Sequence, residues 1–244
     1  MTIRLQRIMG EQGQILMVPM DHGISMGAAP GISPPDATIA AVAPQATCIT
    51  THKGLVRKVA PHARDVGVML HLSASTDLCP DPNEKRLVAT VEEAVRMGCD
   101  GVSTHLNLGS QTEADMIESV GAVSTACQLW NMPHVAMVYP RGPSITNPFE
   151  ETLVAHAARL AAELGADVAK VPYTGDPDSF RNVTRGAGIP VIVAGGPQAP
   201  DFASFLNNLK GAKEGGASGV SIGRNVFQHE DSRAAMDQIA AIFA

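Results

Sequence analysis

Short apolar runs rich in valine and isoleucine recur along the chain, separated by longer stretches whose apolar positions fall at helical spacing. The runs predict eight strands, at 14–20, 46–50, 67–72, 101–106, 134–138, 168–171, 190–194 and 219–222. Helices are predicted between them at 87–97, 113–130, 148–164, 202–214 and 232–243. Glycine just past the last turn closes several of these, as at Gly98 and Gly165. Strands that are apolar along their whole length are covered on both faces, and with crossover helices that means a parallel sheet. Eight such units favour a closed (β/α)8 TIM barrel over an open doubly wound sheet. No Gly-x-Gly-x-x-Gly turn follows the first run to suggest a dinucleotide fold. There is no linker or low-complexity tract, so residues 1–244 read as one barrel domain. The one long irregular stretch, 23–35, contains Gly27, Pro30, Gly31, Pro34 and Pro35. It follows the first strand, where a lid or substrate loop would lie.

Active sites of such barrels are built at the carboxyl ends of the strands, and those ends are polar here. The sixth run, Asp167-Val168-Ala169-Lys170-Val171, embeds a lysine among apolar residues. Lysine is normally a solvated surface residue; held among apolar neighbours, an amine attacks carbonyls and forms Schiff bases. The competing reading is a strand-end lysine that snorkels into water. Other strand ends decide between the two, because they place further reactive groups in the same register: Asp21-His22-Gly23, His52-Lys53-Gly54, His71, His105, and Tyr139-Pro140-Arg141-Gly142. The last two strands end in Ala194-Gly195-Gly196-Pro197 and Ile222-Gly223-Arg224-Asn225. Glycines let backbone N–H groups approach an anion closely, Arg224 adds charge, and these are the loops in which barrels hold phosphate.

Composition narrows the partners. At 244 residues the chain has a natural size for one α/β barrel, and a net charge of −6 with 17% charged residues leaves no basic stripe for nucleic acid. The expected partners are small molecules and copies of the chain itself. No apolar run approaches the roughly 18 residues that a membrane helix needs, so no membrane partner is expected. Cys48, Cys79, Cys99 and Cys127 lack metal-ligand spacing, and the N-terminal segment lacks the apolar region of a signal peptide. Reduced thiols in a cytoplasmic protein follow as the expectation. His22, His52, His71 and His105 also lie near strand ends, but no two share i, i+4 spacing. With a lysine to activate the carbonyl, no metal and no cofactor are expected.

Met20-Asp21-His22-Gly23, Tyr139-Pro140-Arg141-Gly142, Lys170 followed by Tyr173-Thr174-Gly175-Asp176, Ala194-Gly195-Gly196-Pro197 and Ile222-Gly223-Arg224-Asn225-Val226-Phe227-Gln228 resemble the archaeal-type class I aldolase family. The resemblance covers nearly the whole chain. That family includes fructose-bisphosphate aldolases and the aldolases that make aminodideoxyheptulosonate from aspartate semialdehyde, on a route to aromatic amino acids. It implies a Schiff-base lysine at Lys170, acid/base roles for Asp21 and Tyr139, and phosphate contacts at Gly195, Gly196, Gly223 and Arg224. The implied substrates are a phosphorylated ketose and an aldehyde. A homo-oligomer is implied as well, family members commonly forming rings of five that pair into decamers. Sugar-bisphosphate aldolases of the family carry a tryptophan where this chain has Met137 and a serine where it has Ala194. The segments 52–54, 71–76 and 139–143 look more like the heptulosonate branch, with Lys53 the candidate for meeting a substrate carboxylate. The alternatives are a fructose-bisphosphate aldolase, a relative that joins dihydroxyacetone phosphate to aspartate semialdehyde, and a barrel that binds without catalysing.

Overall fold

In the computed structural model, which describes residues 2–244, eight parallel strands close into a barrel. They are β1 Ile15–Pro19, β2 Cys48–Thr51, β3 Gly67–His71, β4 Gly101–Leu108, β5 His134–Pro140, β6 Val168–Val171, β7 Val191–Ala194 and β8 Gly219–Ser221. Each pairs with its neighbours in sequence, and β8 returns to β1 with Ile15 opposite Gly219 and Met17 opposite Ser221. That closure needs a glycine: at Gly219 φ is +149°, and a Cβ there would collide with the Ile15 backbone.

Alternation along the strands sorts the apolar residues into two cores. Ile15, Met17, Cys48, Met69, Val135, Met137, Val168 and Ile192 fill the barrel interior, and Ile8 from the helix Ile3–Ile8 joins them. Leu16, Val18, Ala169, Val171, Val191 and Val193 face outward under the helices. This two-residue period decides where the lysine points. Val168 faces inward and Ala169 outward, so Lys170 shares the interior face of Val168.

Helices Glu113–Trp130, Phe202–Glu214 and Ser232–Phe243 have the predicted bounds. The helix expected over 87–97 is shorter, Val91–Arg96, because Thr90 and Glu93 form a reciprocal capping box that starts it. The preceding residues Arg86–Leu87 pair antiparallel with Ser73–Ala74 in a small ribbon over the end of β3. The helix expected over 148–164 begins at Glu151, capped by Glu150. A further helix, Pro177–Ala187, lies where none was predicted; Asp176 caps it, and Phe180, Val183 and Ala187 bury one face. Strands β4 and β5 run two residues past their predicted ends, with Asn107 opposite Tyr139 and Leu108 opposite Pro140. Among the described residues no helix is long and apolar enough to cross a membrane.

Candidate active site

All eight strands or the residues just past them line a cavity of about 580 Å³ at the carboxyl end of the barrel. Lys170 reaches it from the interior and is only 6% exposed. Its Nζ donates to Met137 Sδ at 3.6 Å and lies 5.9 Å from the centre of the Tyr139 ring. Met137 is directly across the ladder from Lys170, so the amine rests against a soft sulfur and an aromatic face.

Asp21, just past β1, sits among histidines. Its Oδ1 is 3.3 Å from His22 Nδ1 and its Oδ2 is 3.8 Å from His71 Nε2. Burial by itself would raise the carboxyl's pKa, but the close His22 contact and the charges of His71, His22 and Lys170 outweigh it. The carboxyl is held far below the ordinary range, so Asp21 is ionised at neutral pH. His71 is the reverse case, pushed down to about 3 by burial despite Asp21. Its Nδ1 lies 2.8 Å from Ser103 Oγ, and its ring packs at 5.2 Å on His52, which burial also depresses. The His71 and His52 imidazoles on that side of the carboxylate are therefore neutral at pH 7.

Tyr139, at the end of β5, is flanked by the His105 ring at 4.9 Å and by the Arg141 guanidinium 4.6 Å over its face. His105 Nε2 donates to Asn107 Oδ1 at 2.9 Å, and Asn107 Nδ2 in turn donates to the Asn83 carbonyl at 2.7 Å. Burial first, and then the charges of Lys85 and Arg141, depress the His105 pKa well below its usual value.

Across the mouth from these residues, the loops after β7 and β8 form the glycine-rich cradle. Gly196 has φ +67°, a conformation that strains any residue with a side chain, and a Cβ at Gly223 would stand 2.6 Å from His22 Cε1 and displace that ring. Asn225 latches the two loops together. Its Nδ2 donates to the Gly195 and Pro197 carbonyls, both at 2.9 Å, and its Oδ1 accepts from Ala199 N–H at 2.7 Å. Ser221 Oγ and Arg224 Nε are buried there with no hydrogen-bond partner. Buried polar groups in that condition cost about 1–3 kcal/mol each, and an oxyanion between them would satisfy both. The irregular stretch after β1 abuts the same element: a Cβ at Gly31 would strike the carbonyl of Phe227, the last residue of the short helix Arg224–Phe227.

Lys170, Tyr139, Asp21, Gly195, Gly196, Gly223 and Arg224 thus meet in one cavity. Lys53 does not join them. Glu93 takes its ammonium at 3.0 Å, its side chain is half exposed, and it borders an adjoining apolar pocket of about 350 Å³ with Ile24, Leu55 and Val88, which shares Asp21, His52 and His71 with the cavity. The reason is the capping box, which fixes Glu93 beside it. Besides Lys170 and Arg224, the lysine and arginine side chains that line the cavity are Lys85 and Arg141. Lys85 escaped the sequence reading because it lies in a polar stretch, 81–86, with no apolar periodicity; the small ribbon turns it inward. Asn225 was visible in the Gly223-Arg224-Asn225 motif, but its latching role depends on a loop thirty residues away. Among the described residues no three His, Cys, Asp or Glu side chains gather as a group that could hold a metal ion.

An amine buried at the end of a barrel strand, with a carboxylate and a phenol sharing its cavity, is the equipment of lysine-dependent carbonyl chemistry. The profile of the DeoC/LacD family aldolase matches residues 15–229, and the chain belongs to that family. It is 42% identical to the 2-amino-4,5-dihydroxy-6-oxo-7-(phosphonooxy)heptanoate synthase of Streptomyces griseus over 98% of this chain and 88% of that one. With the 2-amino-3,7-dideoxy-D-threo-hept-6-ulosonate synthase 1 of Archaeoglobus fulgidus it shares 44% identity over 93% of this chain and 84% of the relative. A Schiff-base-forming fructose-1,6-bisphosphate aldolase, solved with reaction intermediates, superposes with a TM-score of 0.91 at 30% identity. That alignment covers 99% of this chain and 98% of that one. The protein is a class I, Schiff-base aldolase.

Proposed function

We propose that this aldolase carries a phosphorylated ketone as an enamine on Lys170 and joins it to aspartate semialdehyde. The observation that carries the reading is the single cavity in which the buried Lys170 amine meets Asp21, Tyr139 and the cradle of Gly195, Gly196, Gly223 and Arg224. The acceptor is supported by the names of the two relatives at 42% and 44% identity, set against 30% for the sugar-bisphosphate aldolase. Both names describe a seven-carbon chain with a carboxylate at C1, an amino group at C2, hydroxyls at C4 and C5 and a ketone at C6. An aldol disconnection between C4 and C5, the bond β to the ketone, leaves a four-carbon amino-acid aldehyde and a three-carbon ketone. A phosphate on that ketone suits the cradle.

In the condensing direction the Lys170 amine adds to the ketone carbon, water leaves, and an iminium forms. Loss of a proton from the adjacent carbon gives the enamine, whose carbon attacks the aldehyde carbon. The aldehyde oxygen takes a proton from the Tyr139 phenol as the bond forms, and water then returns to the iminium carbon to release the product. The Asp21 carboxylate stabilises the iminium and relays protons during dehydration and hydrolysis. Ser221, Arg224 and the glycine loops fix the phosphate, which holds the ketone in register with the amine.

Borohydride reduction with dihydroxyacetone phosphate, followed by peptide mass mapping, tests the amine: wild type should be labelled at Lys170, and Lys170→Met should not be labelled while remaining folded. Labelling elsewhere, or its survival in that variant, overturns the assignment. Incubation with dihydroxyacetone phosphate and aspartate semialdehyde should then yield the seven-carbon product. Cleavage of fructose 1,6-bisphosphate in preference to that condensation would reject the acceptor.

A further inference from the structure

The wall of the cavity around the ends of β3, β4 and β5 carries charges that this mechanism leaves unused. Lys85 Nζ donates to Ser75 Oγ and to the Pro82 carbonyl at 2.9 Å, both uncharged acceptors. Arg141 lies over the Tyr139 ring and also faces the cavity. Asp77 stands on the same wall, on a loop tied to the segment after β1 by Asp77 N–H to the Ser25 carbonyl at 3.1 Å and Ser25 Oγ to the Ser75 carbonyl at 3.0 Å. Among the described residues none of the three enters an ion pair. Two cations and one carboxylate therefore line one end of the cavity without an ion-pair partner.

We infer that this wall is the acceptor subsite, in which Lys85 and Arg141 take the carboxylate and Asp77 the ammonium of an α-amino-acid aldehyde. The inference rests on the acceptor reading above and says which residues enforce it. Burial depresses the Lys85 pKa, the nearby Arg141 depresses it further, and Asp77 offsets only part of this, so a bound carboxylate would relieve the crowding of positive charge. The reach is right. Three carbon–carbon bonds separate the acceptor carboxylate from the carbon whose oxygen Tyr139 protonates, a span of about 4 Å for bonds near 1.5 Å, and Arg141 is stacked on the Tyr139 ring itself. The sign pattern also discriminates. A phosphorylated aldehyde would satisfy the two cations but set its dianion against Asp77, whereas a zwitterion complements all three groups.

The test uses dihydroxyacetone phosphate as donor and three aldehydes: aspartate semialdehyde, succinate semialdehyde, which lacks the ammonium, and propanal, which lacks both charges. Lys85→Met should lower kcat/KM for the two carboxylated aldehydes about ten- to a hundredfold more than for propanal, the loss of one charge-assisted contact. Lys85→Arg should restore most of that discrimination. Asp77→Asn should lower aspartate semialdehyde about tenfold relative to succinate semialdehyde, and Lys53→Met should favour none of the three. Borohydride labelling of each variant at Lys170 checks fold and amine. Equal loss on all three aldehydes in Lys85→Met, or the expected pattern appearing in Lys53→Met, overturns the subsite while leaving the acceptor reading intact. A labelled wild type that ignores aspartate semialdehyde overturns the acceptor reading and this assignment with it.

Discussion

At the scale of single residues, the division of labour between Tyr139 and Asp21 is open to separation because the two act at different steps. Tyr139→Phe keeps the ring that packs between His105 and Arg141 and removes only the proton. Borohydride labelling with dihydroxyacetone phosphate should survive, since iminium formation precedes the impaired step, while condensation falls about 10²–10⁴-fold. Asp21→Asn removes the charge that supports the iminium, so labelling and turnover should fall together. Wild-type turnover in Tyr139→Phe, or loss of labelling there as complete as in Lys170→Met, would end this division. Lys170 and Tyr139 were legible because a lysine in an apolar strand and a tyrosine at a strand end contradict their surroundings. Lys85 was not, since a lysine in a polar loop contradicts nothing; Lys53, the lysine the sequence put forward, borders the neighbouring apolar pocket beside Glu93.

At the scale of elements, the glycine-rich cradle proposed for the phosphate is two loops made into one by Asn225, with Gly223 kept bare so that His22 can approach. Arg224, whose guanidinium burial leaves short of partners, opens the short helix after β8. Arg224→Ala should raise the KM for dihydroxyacetone phosphate about ten- to a hundredfold more than for hydroxyacetone, its counterpart without phosphate. Equal effects on both ketones would reject the cradle. The strands and the long helices were legible in the chain because each carries its own period and its own stop signals. The helix Pro177–Ala187 was not read, although Asp176, Pro177 and the apolar positions 180, 183 and 187 mark it. Asp176, which ends the motif Tyr173-Thr174-Gly175-Asp176, supplies its cap through Ser179 N–H.

At the scale of the whole molecule, the barrel separates chemistry at the carboxyl ends of its strands from stability at the amino ends. His134 opens β5 at the stable end. It is fully buried, with Nε2 2.8 Å from Thr104 Oγ1 and Nδ1 3.0 Å from Ser124 Oγ, and burial pushes its pKa from 6.5 down to about 4. Because the native value lies below the unfolded one, the unfolded chain binds more protons between these two pH values. Stability present above 6.5 is therefore lost as the pH falls towards 4. Urea unfolding at about pH 7.5 and about pH 5 should show this loss in wild type, and His134→Gln should shrink the difference by roughly 2 kcal/mol. An unchanged difference would remove His134 from the acid sensitivity of the fold.

The sequence alone determined the eight-fold alternation of apolar strands and helices, hence a parallel closed barrel, and it marked the lysine, carboxylate, phenol and paired glycine loops at successive strand ends. Those are local properties: period, burial preference and backbone freedom are written within a few residues of each position. Only the tertiary structure decided which charges face the cavity. Lys53 is drawn away by a glutamate forty residues later whose place a capping box sets, while Lys85 is turned inward by a ribbon that pairs Ser73–Ala74 with Arg86–Leu87. Asn225 likewise acquires its partners only when β7 and β8 lie side by side. A pair of distant groups has no signature in either segment, because the free energy that joins them depends on the closed barrel bringing their strands within hydrogen-bonding reach.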